Sequence, residues 1–203
     1  DWDAHLLAQL DDSRVGVVGA RLFYENRTLQ HVGIALGSGS GRPSHEGVGA
    51  TSVEGGPLDR WKRTRQVAAV TGAFMAVRRE TFEAVGGFST RLAVAYNDID
   101  LCLKVRERGL AVVMAGDLEL IHFESATRGF NNTPAKVRWD DDELRDLYAV
   151  WGKAMLRDPS RNPQWHGSER NVFESWRDLN NAEVRDWLSG SANGGGWKVQ
   201  RRV

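Results

Sequence analysis

Two short stretches hold residue types that could do chemistry. In Asn97-Asp98-Ile99-Asp100, two carboxylates follow directly on the extended run Leu92-Ala93-Val94-Ala95-Tyr96. A carboxylate at the mouth of a helix can accept a proton from a hydroxyl nucleophile. Residues two apart on a helix point to nearly opposite sides, so only one of these acids can face a shared cleft. Asp98 is the better placed, because a side chain at the cap projects beyond the helix into the space above a strand end. The bland account of the same segment is an N-cap followed by a first-turn acid that suits the helix dipole. The second stretch, His122-Phe123-Glu124-Ser125-Ala126-Thr127-Arg128-Gly129, puts a His, a Glu, two hydroxyls and an Arg at the end of an apolar run. Ligands bind at strand ends in α/β sheets, and a neutral imidazole there can complete an oxygen-rich site for a divalent metal. A lone His is more often a satisfied hydrogen-bonding residue. That bland reading is given to His31 as a strand-edge residue and to His45 as part of a loop, while His5 and His166 read as surface residues.

The elements that must position these groups follow from the pattern. Residues 2, 6, 7 and 10 repeat with a helical period behind Asp1, so Asp1-Trp2-Asp3 reads as helix capping and not as a metal-chelating triplet. Val15–Tyr24 is a β-branched run of strand length, and His31–Leu36 is a second extended run after the turn Glu25-Asn26-Arg27. Gly37 to Gly56 is rich in Gly, Ser and Pro and is expected to be a long mobile loop. Val67–Val77 predicts buried strand on both sides of a break at Thr71-Gly72, and Arg79–Val85 predicts a short helix stopped by Gly86-Gly87. The run from Asp98 to Arg108 has acids in its first turn, bases in its last and Gly109 beyond, as a helix prefers. Leu110–Met114 and Leu118–Phe123 read as two further strands. Thr133-Pro134 opens a long helix with the stripe Val137, Leu144, Leu147, Tyr148, Trp151 and Met155. Gly190 to Gly196 reads as flexible. Strands and helices interleave, so the fold class is α/β.

Composition bounds the partners. Among 203 residues, 27 Lys and Arg balance 27 Asp and Glu, leaving no net field to recruit nucleic acid. No apolar run approaches the ~18 residues of a spanning helix, so no transmembrane segment is expected. The single cysteine, Cys102, favours a reducing compartment, and a cytoplasmic place, at the inner face of a membrane or free of it, is the expectation. The eight tryptophans crowd toward the C-terminal third.

Val70-Thr71-Gly72-Ala73, Val77-Arg78-Arg79, Val85-Gly86-Gly87-Phe88, Tyr96-Asn97-Asp98-Ile99-Asp100-Leu101-Cys102-Leu103, His122-Phe123-Glu124-Ser125 and Arg128-Gly129 follow one another in an order and spacing that resemble the C-terminal half of bacterial family 2 glycosyltransferases. The resemblance runs over roughly residues 1 to 165. It implies a partial GT-A, Rossmann-like fold lacking its N-terminal nucleotide-binding strands. It also implies transfer of a sugar, with inversion, from a nucleotide-sugar donor to a hydroxyl of a glycan acceptor in surface or cell-wall polysaccharide synthesis. On that resemblance Asp98 is the catalytic base, with Asn97 where the family carries Glu. Gly72, Ala73, Asn97 and Asp100 fall on the acceptor side, and His122 takes a metal-ligand position for Mn2+ or Mg2+. The expected division is 1–132 as the end of the GT-A domain, 133–165 as its closing amphipathic helix, and 166–203 as a polar, Trp-rich, partly flexible tail.

The donor half and its paired acids are expected to lie before Asp1, so the isolated chain is expected to be inactive, to bind the cation only in the complete domain, and to pair with the missing half or with a second copy. The alternative is a non-catalytic module that binds glycan or protein through the Gly-rich loop and the Trp-rich tail.

Overall fold

The computed structural model describes residues 2–37, 40–123, 133–168, 172–192, 197 and 199–202. Helix α1 (Trp2–Leu10) leads into strand β1 (Val15–Phe23), followed by the short strands β2 (Leu29–His31), β3 (Ile34–Ala35), β4 (Ser44–His45), β5 (Arg65–Gln66) and β6 (Met75–Val77). Helices α2 (Arg79–Ala84) and α3 (Asn97–Glu107), strand β7 (Ala111–Ile121) and helix α4 (Pro134–Trp151) complete the body. A hairpin of β8 (Trp165–His166) and β9 (Ser175–Trp176), then helix α5 (Asn181–Ala192), form a C-terminal arm.

Strand β1 is the centre. All nine of its residues are buried, which is why its sequence runs nearly continuously apolar instead of alternating. It pairs in parallel with β7 on one side, and antiparallel with β6 and β2 on the other. β5 adds antiparallel to the far edge of β7, so the sheet is mixed. Leu6 of α1 packs with Val15, Val18, Ala20 and Val113 on one face. On the other face Val17, Val112 and Met114 meet Leu101, Leu103 and Val105 of α3 together with Leu147 and Trp151 of α4. This is an α/β body with helices on both faces of a mixed sheet, compatible with a Rossmann-like domain. Two glycines of β1 let the layers close: a Cβ on Gly16 would sit 2.3 Å from Val105 Cγ1, and one on Gly19 2.6 Å from Val70 Cγ1.

The helix ends follow the sequence rules. Gly86 and Gly87 have φ of 78° and 62° just after α2, a conformation that costs a residue without Cβ little. Thr133 caps α4 by accepting from Lys136 N at 3.3 Å, with Pro134 at the first helical position. The first turn of α3 carries Asp98 and Asp100, and its last turn Lys104 and Arg106.

Three expectations change. The two strands expected within 110–123 are the single strand β7, interrupted by a register shift opposite Ala20/Arg21, where Gly116 abuts the backbone of Lys62 and Arg63. The shift skips residues 116–118 of β7, and a sequence pattern cannot tell such an irregularity from a strand end. The glycine-rich stretch 37–56 is built structure over much of its length. β4 pairs with β3, and Glu46, 3% exposed, binds Arg60, Arg65 and the indole of Trp61. Lastly, residues 181–192 are helical, so the expected flexible stretch begins inside α5, and 193–196 lie outside the described residues.

Candidate functional site

Asp98 sits in the second position of α3 and not at the cap expected from sequence; the cap is Tyr96, two residues earlier, in the left-handed region at φ 61°. Such a conformation costs a non-glycine residue about 1–3 kcal/mol and persists only where the surroundings enforce it. Helix α4 supplies that enforcement. Glu143, 2% exposed, accepts from Ala95 N at 2.5 Å and Val94 N at 3.3 Å. The Tyr96 hydroxyl donates to Asp140 at 3.1 Å and accepts from Arg42 at 3.0 Å, and Arg42 also pairs with Asp140 and Asp141. Burial, then Asp140, pushes the Tyr96 phenol up to about 12, so it stays a donor through the neutral range.

The Asp98 carboxylate is half-buried and, among the described residues, held by backbone amides. Oδ2 accepts from Gly72 N and Oδ1 from Ile99 N, both at 2.8 Å. Each oxygen keeps a second lone pair for a ligand. Gly72 and Ala73 are exposed on the turn that faces it, which is tied by Ala73 N to Thr71 Oγ1 at 3.3 Å. The half-buried Asn97 side chain makes no hydrogen bond among the described residues. Asp100 lies elsewhere: it is 3% exposed, accepts from the indole of Trp151 at 2.9 Å and pairs with Lys104 at 2.7 Å. The two acids therefore do point apart, one to the turn at 71–73 and the other into the seam between α3 and α4.

His122 follows the C-terminal end of β7, half-buried, its backbone N bonded to Phe23 O at 2.9 Å. Its Nδ1 meets Gln30 Oε1 at 2.9 Å. Glu124, Ser125, Thr127, Arg128 and Gly129 lie outside the described residues. Asp98 and His122 do not bond to each other; the link shown between their surroundings runs through the backbone of β2, whose consecutive residues point their side chains to opposite faces. Gln30 holds His122, while His31 Nε2 accepts from Thr71 N at 3.3 Å, next to the amide that holds Asp98. His31 pairs with Leu22 of β1, and Leu22 with Leu120 of β7, so this link lies toward the C-terminal ends of the two parallel strands. That is where α/β sheets bind ligands.

His31 is the main residue the sequence reading undervalued. It lies on β2, the end strand of the sheet, as expected, but is fully buried there, with its ring 4.8 Å from that of His45 at a steep angle. Burial, then His45 and Arg65, holds its pKa well below the usual imidazole range. A Gln-His pair inside the apolar run Leu29–Val32 was the available signal. Glu143 carried a similar one, as a carboxylate on the same helical stripe as Leu147 and Trp151.

An imidazole that ligates a divalent cation commonly has its second nitrogen engaged by an outer partner, and His122 Nδ1 is engaged by Gln30 Oε1. Among the described residues no group of three or more His, Cys, Asp or Glu side chains converges on a metal position. A separate cavity of about 680 Å³ opens between the end of α4, the 157–167 segment and α5, with Gly37, Lys153, Arg161, Trp165 and Trp187 on its walls.

No family model and no solved structure matches the chain. It is 38% identical over 174 residues to the uncharacterized protein y4gI of Sinorhizobium fredii, a match covering 85% of this chain and 19% of that protein. It is 35% identical over 144 residues to the O-antigen biosynthesis protein RfbC of Myxococcus xanthus, covering 68% of this chain and 11% of that protein. The chain thus spans about a fifth or less of either relative's length.

Proposed function

We propose that this chain is the acceptor and catalytic-base part of an enzyme of polysaccharide biosynthesis, an inverting glycosyltransferase of the family 2 type. The observation that carries the reading is the Asp98 carboxylate, half-exposed at the mouth of α3 and fixed by the Gly72 and Ile99 amides. The likeness to the O-antigen biosynthesis protein supports the pathway class. In the reading, an acceptor hydroxyl rests on the 71–73 turn beside Asn97. Its oxygen attacks the anomeric carbon, its proton passes to Asp98, and the bond to the diphosphate breaks with the electron pair leaving on phosphate. Because both Asp98 oxygens are anchored to backbone, the base needs no rearrangement to meet the nucleophile. Asp100, placed on the acceptor side by the resemblance, is instead a structural acid that holds α3 against α4. A cation bound with His122 as one ligand would neutralise the leaving diphosphate.

The test is sugar transfer by the complete protein. Asp98→Asn keeps the shape and one of the two amide contacts, sets its NH2 group against the other N–H, and cannot take the proton; it is expected to lower turnover by about 10²–10⁴-fold. Full activity in that variant overturns the assignment.

A second reading is favoured by the cavity on the arm, where aromatic and cationic walls suit a sugar ring: a glycan-binding module with no transfer chemistry. Glycan binding that survives chelator and the loss of both Asp98 and His122, but not Trp187→Ala, would select it.

A further inference from the structure

A histidine can offer a ring nitrogen to a cation only from the tautomer that leaves that nitrogen unprotonated. Free histidine side chains in water favour the proton on Nε2, which would turn a donor outward. In this fold His122 Nδ1 lies 2.9 Å from Gln30 Oε1. The Gln30 amide is placed with its oxygen toward the ring, and an amide oxygen only accepts, so in this orientation Nδ1 holds the proton and in the neutral ring Nε2 holds the lone pair. His122 Nε2 has no hydrogen-bond partner among the described residues. Gln30 has little freedom to move away. It is 4% exposed, sits in β2 between the fully buried Leu29 and His31, and its own carbonyl meets His45 Nδ1 at 3.3 Å.

We infer that Gln30 is a positioning residue that fixes His122 in the Nδ1–H tautomer and aims the Nε2 lone pair at a divalent cation. An amide does this without placing a second charge in a strand that water does not reach, where an unpaired carboxylate would be costly. Protein metal sites depend on such outer partners nearly as much as on the ligands themselves. The cation's identity as the ligand rests on the proposed function; the tautomer does not.

Ring-nitrogen NMR of the histidine-labelled chain, at a pH where the ring is neutral, reads the tautomer directly, with the His122 signals identified by their loss in His122→Asn. The expected spectrum has a protonated Nδ1 and an unprotonated Nε2. Gln30→Met keeps the size but removes the acceptor and is expected to move the proton to Nε2, whereas Gln30→Glu keeps it on Nδ1. An Nε2–H ring in the unaltered chain, or an unchanged ring in Gln30→Met, overturns the inference. Should Gln30→Met not fold, the unaltered chain and Gln30→Glu still decide. Titration of Mn2+ into the complete protein tests the underlying reading separately: Gln30→Met is expected to lose about 10–100-fold in affinity, and His122→Asn at least as much. An Nδ1–H ring together with unchanged Mn2+ affinity in His122→Asn would sink the metal role and leave the tautomer assignment standing.

Discussion

In the sheet body, Glu46, Asp100 and Glu143 are each at most 3% exposed, and each is committed to named partners: two arginines and an indole for Glu46, Lys104 of its own helix and the Trp151 indole of α4 for Asp100, two backbone amides for Glu143. In the C-terminal arm the same residue types lie on the surface. Arg177–Glu183 and Arg157–Asp186 are ion pairs with much of their side chains in water, and Trp176 and Trp187 are 65% and 43% exposed. Exposed pairs contribute about 0–1 kcal/mol, whereas breaking a buried one costs about 3–5 kcal/mol. The body therefore over-determines the geometry around Asp98 and His122, while the arm leaves aromatic faces open to a ligand. The C-terminal end joins the body again: Val199 is buried, and Arg106, its pKa lowered to about 10 by burial, donates to Trp197 O and lies over that ring.

The sharpest break of this contrast is Trp151→Ala. Trp151 is 1% exposed, fills the seam between α3 and α4, and satisfies Asp100. The truncation removes a large buried ring and leaves a buried carboxylate short of a donor, for an expected loss of about 3–5 kcal/mol in urea unfolding. Trp151→Phe keeps most of the packing and isolates the hydrogen bond, at about 1–3 kcal/mol. Equal losses in the two variants would mean that the indole N–H, and not its volume, holds the seam.

Glu46→Gln comes next. It leaves Arg60 and Arg65 facing an amide in a buried cluster, with an expected cost of about 3 kcal/mol. Arg65, already lowered to about 10 by burial, has little water to turn to. A variant with an unchanged urea midpoint would place this cluster in the same energetic class as the arm's surface pairs.

How much of this was legible in the sequence follows the range of the interactions. The ends of α2, α3 and α4 are set by Gly86, Gly87, Gly109, Thr133 and Pro134, all within a turn of the boundary they define, and they are readable directly. The continuity of β7 across Gly116 depends on backbone from residues 62 and 63, and the value of Glu143 depends on a loop nearly 50 residues away. Neither leaves a local mark. Asp98 and His122 stand out by residue type, but the Gln30–His31 link between them needs the register of β2 on β1, and a three-residue strand does not announce its register.

His31 offers a smaller, pH-resolved test. Its folded pKa is depressed by burial, then by His45 and Arg65, while the unfolded chain takes up a proton near the ordinary value of about 6.5. Below that pH the unfolded state binds the extra proton and the folded state does not, so stability must fall as pH drops from about 6.5 toward 5. The slope from this one group is at most about 1.4 kcal/mol per pH unit. His31→Gln is expected to flatten the fall, measured as urea midpoints across that window. A variant as pH-sensitive as the original would assign the effect to other groups.

The smallest effect belongs to the arm. Trp176 packs edge-on against Phe173, which meets Trp165 in the same way, on a two-residue-per-strand hairpin. A mostly exposed ring in that setting is expected to contribute within about 0.5 kcal/mol, so Trp176→Ala and Trp187→Ala should leave the urea midpoint nearly unchanged. Of these two tryptophans Trp187 lines the cavity and Trp176 does not, so the two variants part company when a glycan is added: fluorescence titration should lose its signal in Trp187→Ala and keep it in Trp176→Ala. A fall of several kcal/mol in either variant would instead make the arm part of the body's fold, and the contrast between a rigid site and an open aromatic surface would disappear.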